Sequence, residues 1–238
     1  MTGSRRSKWR AYLLLSRISN LPTVWSNVIA GAVVSGAALA PIDIGRLAAG
    51  VSFLYTAGMF LNDVFDREFD ARHRPDRPIP AGDVRPTAAG LAAALLIGAG
   101  LAMISAQSGN LVPRLWSAGL VATILYYNWR HKRDPLGPLW MGLCRGLVYC
   151  VAAAAVASTV SARVGAAAAV MTLYVVVLTL IAKRLGQRAS AVVPLLLAGI
   201  SVVDATVVMV SGGPLPLALV AIVCGVLTLG FQRVVPGT

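Results

Sequence analysis

Eight apolar stretches, separated by short polar or basic segments, set out the plan of this chain. They run roughly over 24–40, 45–62, 87–107, 111–128, 138–158, 163–183, 190–211 and 214–233. Each is close to the ~20 residues a helix needs to cross a hydrocarbon core. None shows the period-two alternation of barrel strands, and in lipid only helices and closed barrels satisfy every backbone polar group. The pattern predicts an all-α, polytopic membrane bundle of about eight helices. The first is expected to begin earlier, near Leu13, and to kink at Pro22, since proline removes a backbone donor. Glycine and alanine recur inside the runs, as at Gly31, Gly36, Gly98 and Gly100. Small residues let membrane helices approach closely, so tight packing is expected.

Composition strengthens this reading. Of 238 residues, 57% are apolar and 13% charged, and the mean hydropathy is +0.75. A soluble domain carries about 25% charged residues. Too few polar groups are present to clothe a water-facing surface. That excludes an ordinary soluble enzyme, a disordered protein and a nucleic-acid partner. The net charge of +12 is therefore read as topology. All but four of the 21 Lys and Arg residues lie before residue 18, in the 63–86, 129–135 and 183–188 segments, or in the tail. Arg46, Arg114 and Arg163 occupy the alternate loops, and Arg145 sits within a span. By the positive-inside rule the N-terminus is cytoplasmic.

The expected organisation is one integral-membrane domain over 1–238. Its cytoplasmic parts are a basic N-terminus (1–12), an Asp/Arg-rich loop (62–86) and basic loops (129–135 and 183–189). No cleavable signal peptide is evident. Arginine outnumbers lysine 18 to 3, a bias associated with GC-rich bacteria, so a bacterial plasma membrane is the expected location. Cys144, Cys150 and Cys224 lack metal-type spacing and read as buried thiols.

The acidic residues are few and crowded. Of nine, Asp63, Asp66, Glu68 and Asp70 fall within eight positions, directly after Asn62. On a continuing helix Asn62, Asp66 and Asp70 share a face at i, i+4 and i+8, with Asp63 beside them. Three carboxylates and an amide oxygen there would repel one another. A hard divalent cation offsets that repulsion, and oxygen ligands suit Mg²⁺. Arg72, Arg74 and Arg77 follow, in a loop stiffened by Pro75, Pro78 and Pro80. Arginine forks match phosphate oxygens. Carboxylates beside fixed arginines at a membrane surface suggest a diphosphate site whose apolar tail enters the bundle. The arginines alone would also suit a solvated loop; the carboxylate cluster is what favours the site.

The run Asn62-Asp63-x-x-Asp66-x-x-x-Asp70 followed by Arg74-Pro75-x-Arg77-Pro78-Ile79-Pro80-Ala81-Gly82 resembles the first aspartate-rich motif of the UbiA superfamily of intramembrane prenyltransferases. Arg17 to Thr23 resembles that family's opening helix. Tyr126-Tyr127-Asn128 with Lys132-Arg133 resembles its segment after the fourth helix. The resemblance implies nine helices around a central cavity, a prenyl diphosphate held with Mg²⁺, and capture of an allylic cation by an aromatic or other lipophilic acceptor. It implies Asn62 and Asp66 as metal ligands, with Asp63 and Asp70 supporting. It further implies Arg17 and Lys132 at the diphosphate, with Arg74 and Arg77 as added contacts, and Asn20 among the substrate-binding residues.

One family feature is missing. The second aspartate-rich motif would fall after the sixth helix, where this chain reads Lys183-Arg184-Leu185-Gly186-Gln187-Arg188, without an acid. Two segments, 20–27 and 174–182, resemble a divergent EboC-like branch. Two readings stay open: Lys183, Arg184 and Arg188 replace the second metal, or the chain binds isoprenoid lipids without turnover.

The remaining polar residues lie within or at the ends of spans. Arg145 lies about 10 Å into the fifth span at 1.5 Å per residue. It either reaches the diphosphate or holds an acidic acceptor, unless it snorkels to the surface. Asp204 lies deeper in the seventh span, so a direct pair with Arg145 is not expected. Tyr126, Tyr127 and Asn128 end the fourth span as interfacial anchors or as part of the cation site. His73 and His131 are assigned no role.

Overall fold

The structure, a computed structural model, describes residues 7–38, 40–132, 134–186 and 189–235. Helices account for all the regular structure among them. The order is α1 (Lys8–Ser16), a 3-10 turn (Ile18–Asn20), α2 (Leu21–Val34), α3 (Pro41–Phe65), α4 (Arg67–His73) and α5 (Pro86–Ser105). Then come α6 (Leu111–Arg130), α7 (Gly137–Ala157), α8 (Ala162–Leu185), α9 (Ala189–Val210) and α10 (Leu215–Gln232).

Each of the eight apolar stretches is a helix. Six of them are long and apolar enough to cross a membrane: α3, α5, α7, α8, Val192–Val210 of α9, and α10. The other two explain themselves. Helix α6 has 20 residues but carries Arg114, Asn128 and Arg130. Helix α2 has only 14 residues and is buried except at Leu21 and Trp25. A helix buried on nearly every side is a core helix, and α2 packs against α3, α7, α8, α9 and α10.

The predicted kink at Pro22 is replaced by a break at Arg17. Arg17 adopts the left-handed conformation (φ 45°) between α1 and the 3-10 turn. Pro22 sits in the first turn of α2, where its missing donor costs no ladder bond. The strained backbone at Arg17 turns its side chain toward α3.

Contacts α2–α3, α3–α6, α6–α7, α7–α8, α8–α9, α9–α10 and α10–α2 close a ring. Two apolar clusters, one around Val28, Leu54, Leu120 and Val151, the other around Tyr149, Met171, Ile200 and Val208, share the α2–α7 seam. A third fixes α1, α5 and the 74–85 loop on α3 through Leu15, Phe60, Ile79 and Val84. The outward side chains are apolar as well: Leu91, Leu95, Leu173 and Val226 are each more than 60% exposed. An apolar surface of that extent suits lipid.

Small residues set the close approaches. A Cβ on Gly31 would lie 2.6 Å from the Cα and 2.8 Å from the carbonyl oxygen of Tyr149. Only glycine lets α2 lie this near α7. Gly31→Val is therefore expected to destabilise the protein by about 1–3 kcal/mol. Gly45→Ala, where a Cβ meets open space, should not. Thermal unfolding of the two variants in detergent checks this.

Candidate active site

The Asp-rich end of α3 is built by continuation of the helical ladder. Asp66 closes α3 and opens α4, with Asp66 N donating to Asn62 O (2.9 Å) and Asp70 N to Asp66 O (2.8 Å). The i, i+4, i+8 register of Asn62, Asp66 and Asp70 is thus kept. All four polar residues from Asn62 to Asp70 on this side are buried.

Their carboxylates nonetheless divide into two sets. Arg77 donates from Nη1 to Asp63 Oδ1 (3.1 Å) and Asp70 Oδ2 (2.9 Å). Arg17 donates from Nη2 to Asp63 Oδ1 and to Asn62 Oδ1, both at 3.2 Å. Asp63 and Asp70 therefore hold two arginines in place. Buried Ile79 and Val84 anchor the loop that carries Arg77. Asp66 faces the other way, toward the residues after α6. Lys132 Nζ lies 2.8 Å from its Oδ1 and His131 Nε2 3.4 Å from its Oδ2. Burial alone would raise the Asp66 carboxyl, but hydrogen bonds and charge from His131 and Lys132 outweigh it and hold it below its usual range.

A cavity of about 380 Å³ runs inward from this cluster. Its mouth is polar: Arg17, Asn20, Asn62, Asp66, Arg74, Arg77, Asn128 and His131 line it. Its walls are apolar, with Leu54, Leu120, Ile124, Val148, Leu178 and Ile200 contributed by α3, α6, α7, α8 and α9. Tyr55, Tyr127 and Cys144 also face it. Asn128 donates to Gly58 O and Ile124 O, but its buried Oδ1 has no hydrogen-bond partner. Asn20 accepts at Oδ1 from Gln232 Nε2 (3.0 Å), which ties the mouth to the end of α10.

Arg145 lines the same cavity deeper in. Its Nη1 donates to Asn27 Oδ1 at 2.9 Å. Asn27 Nδ2 in turn donates to both oxygens of Asp204, each at 2.9 Å. Ser26 (2.6 Å) and Tyr149 also donate to Asp204. Arg145 and Asp204 are thus linked through Asn27, as their different depths require.

Several residues singled out from sequence lie elsewhere. Tyr126 is exposed, edge-on to Trp129 and close to Trp140 and Asp134; its neighbour Tyr127 faces the cavity instead. Lys183 and Arg184 are exposed, and α8 contributes Thr179 and Ala182 to the cavity rather than either cation. Arg133 and Arg188 fall outside the described residues. Sequence reasoning passed over His131, Tyr55, Asn27 and Tyr149. Position after the Tyr-Tyr-Asn run was the available signal for His131; the other three carry none.

The UbiA prenyltransferase family model matches residues 20–237. The chain belongs to that family. A digeranylgeranylglyceryl phosphate synthase from Methanopyrus kandleri is 37% identical over 132 residues, 53% of this chain and 46% of that protein. A 4-hydroxybenzoate octaprenyltransferase from Pectobacterium atrosepticum is 34% identical over 100 residues, 38% of this chain and 33% of that protein. The chain spans about half the length or less of these curated relatives. A UbiA homologue from Archaeoglobus fulgidus bound to GPP and Mg²⁺ superposes with a TM-score of 0.62 at 15% identity, over 94% of this chain and 86% of that one. The same protein bound to DMAPP and Mg²⁺ gives 0.64. This likeness is one of fold.

The oxygen donors at the mouth fit one hard cation. Asn62 Oδ1 and the Asp66 carboxylate stand one turn apart on the cavity, and Mg²⁺ takes one or two carboxylates completed by phosphate oxygens and water. Asp63 and Asp70 are committed to Arg77. Among the described residues no three His, Cys, Asp or Glu side chains gather as a metal cluster. This UbiA chain therefore offers the donors of a single-carboxylate site, and its α8 end supplies no carboxylate of its own.

Proposed function

We propose that this chain transfers a prenyl group from a prenyl diphosphate to a lipophilic acceptor inside the membrane. One observation carries the reading: a single cavity joins a mouth of arginines and hard oxygen donors to apolar walls. The diphosphate fits the mouth, where Arg17, Arg74, Arg77 and Lys132 supply charge to its oxygens. Asn62 and Asp66 would hold Mg²⁺, with Asp63 and Asp70 supporting through the arginines. When bound, Mg²⁺ would draw charge from the leaving diphosphate. The apolar walls keep water from the allylic cation, and the Tyr55 and Tyr127 side chains line the same cavity. Family membership and the names of the curated relatives, both prenyl-transferring, support this reading. The basic residues gathered at the Asp-rich end favour placing it on the cytoplasmic side, and the excess of arginine over lysine favours a bacterial plasma membrane.

A second reading has its own observation. The end of α8 brings Thr179 and Ala182, but no acid, to the cavity. A carrier that binds isoprenoid diphosphates without cleaving them would look the same. Purified protein in vesicles, given radiolabelled prenyl diphosphates, Mg²⁺ and a lipid extract, separates the two. Label entering a new lipid, and lost on chelation by EDTA, is the expected result. Label retained unchanged on the protein would establish the carrier instead.

A further inference from the structure

Arg145 is a charge with an indirect counter-charge. Its guanidinium has five N–H donors, and one, through Nη1, is used on Asn27. Its Cζ lies over the Tyr55 ring, 5.5 Å from the centroid, a contact that uses none of its N–H donors in a hydrogen bond. Asp204 is fully buried and already accepts from Ser26, Asn27 and Tyr149. A purely structural pair would set carboxylate against guanidinium, because a buried cation is costly unless directly paired. Here the carboxylate orients Asn27. The Asn27 amide nitrogen sits 2.9 Å from both oxygens of Asp204, so its oxygen is turned toward Arg145. The remaining edge of Arg145 is left to the cavity.

Depth separates this group from the mouth. Tyr55 precedes Asn62 by seven residues of α3, about 10 Å along the axis. Arg145 is therefore beside the part of the cavity that lies beyond the diphosphate cluster. The mouth has its own cations. We infer that Arg145 binds an oxyanion, carboxylate or phosphate, on the head of the prenyl acceptor, with Asn27 and Asp204 as positioning residues. This rests on the transferase reading and gives it a substrate class: acidic acceptors, not neutral alcohols or phenols. A planar guanidinium suits such groups because it bonds two of their oxygens at once.

Binding, not turnover, tests this. The protein is placed in phosphatidylcholine nanodiscs with Mg²⁺ and a non-cleavable prenyl thiolodiphosphate. Equilibrium dialysis then compares two matched pairs. The carboxylate arm uses 4-hydroxybenzoate and 4-hydroxybenzamide. The phosphate arm uses a 1-O-alkyl glycerol phosphate and the same lipid without its phosphate. At least one anionic member should bind about tenfold or more tighter than its neutral partner, as one charge-assisted fork predicts; the arm that responds identifies the oxyanion. Arg145→Gln should erase the preference, and Arg145→Lys should keep part of it. Neither should change binding of the prenyl thiolodiphosphate. Equal binding within both wild-type pairs would overturn the inference, as would a preference that survives Arg145→Gln. A parallel loss of thiolodiphosphate binding in Arg145→Gln would reassign Arg145 to the diphosphate. Failure of the wild type to bind the thiolodiphosphate would instead count against the transferase reading.

Discussion

Asp66→Asn is expected to abolish prenyl transfer, lowering turnover by about 10³-fold or more, while the bundle stays folded. The size follows from what a metal ligand contributes. Stabilising charge on a leaving oxygen is worth several kcal/mol, and about 4 kcal/mol is three powers of ten in rate. The choice of residue follows from the division of the carboxylates. Asp66 is the acid on the cavity whose partners are a partly exposed lysine and a histidine, so it can exchange them for a cation and phosphate oxygens. Asp63 and Asp70 cannot do so without releasing Arg77. Asparagine keeps the shape and one oxygen, so the change isolates the charge. Lys132 loses its partner but is about one-third exposed and can turn to water. Glu68→Gln is the matched control, since Glu68 lies in the same segment with its side chain largely in solvent. Turnover and Mg²⁺-dependent binding of the prenyl diphosphate are both measured. Activity within tenfold of the wild type in Asp66→Asn would remove Asp66 from the metal site.

Residue type and spacing made the outline of this site legible. Asn62, Asp66 and Asp70 recur at helical intervals, and the helix does continue through them, so their register could be read directly. The eight apolar stretches were legible for the same reason: lipid-facing helices must be long and apolar. What sequence could not show is which way each polar group turns. Asp63 and Asp66 are three residues apart, yet one faces Arg17 and Arg77 and the other faces Lys132. That depends on where α1 and the loop after α6 come to rest. Tyr126 and Tyr127 show the same limit. Adjacent helical residues point about 100° apart, and only packing against α7 decides which one enters the cavity. The link from Arg145 to Asp204 was hidden because it passes through Asn27, on a helix more than a hundred residues earlier in the chain.

Arg77→Met is expected to cost about 3–5 kcal/mol of stability, the usual price of stranding buried charge. Arg77 is the shared partner of Asp63 and Asp70, and all three side chains are largely buried, at 16%, 7% and 3% exposure. Removing the guanidinium leaves two carboxylates near one another, with only Arg17 still beside Asp63. Asp70→Asn should cost less, because Arg77 keeps Asp63. The double variant should recover part of the Arg77→Met loss, since it carries one stranded carboxylate fewer. Thermal unfolding of the three variants measures this coupling. The same set separates two roles for Arg77. If it only bound substrate, Arg77→Met would raise the KM for prenyl diphosphate and leave unfolding unchanged, and Asp70→Asn would have no reason to matter. The proposed diphosphate site predicts both effects: the carboxylates fix the arginine, and the fixed arginine would meet the phosphate. Asp70→Asn should therefore weaken prenyl diphosphate binding although Asp70 itself does not line the cavity.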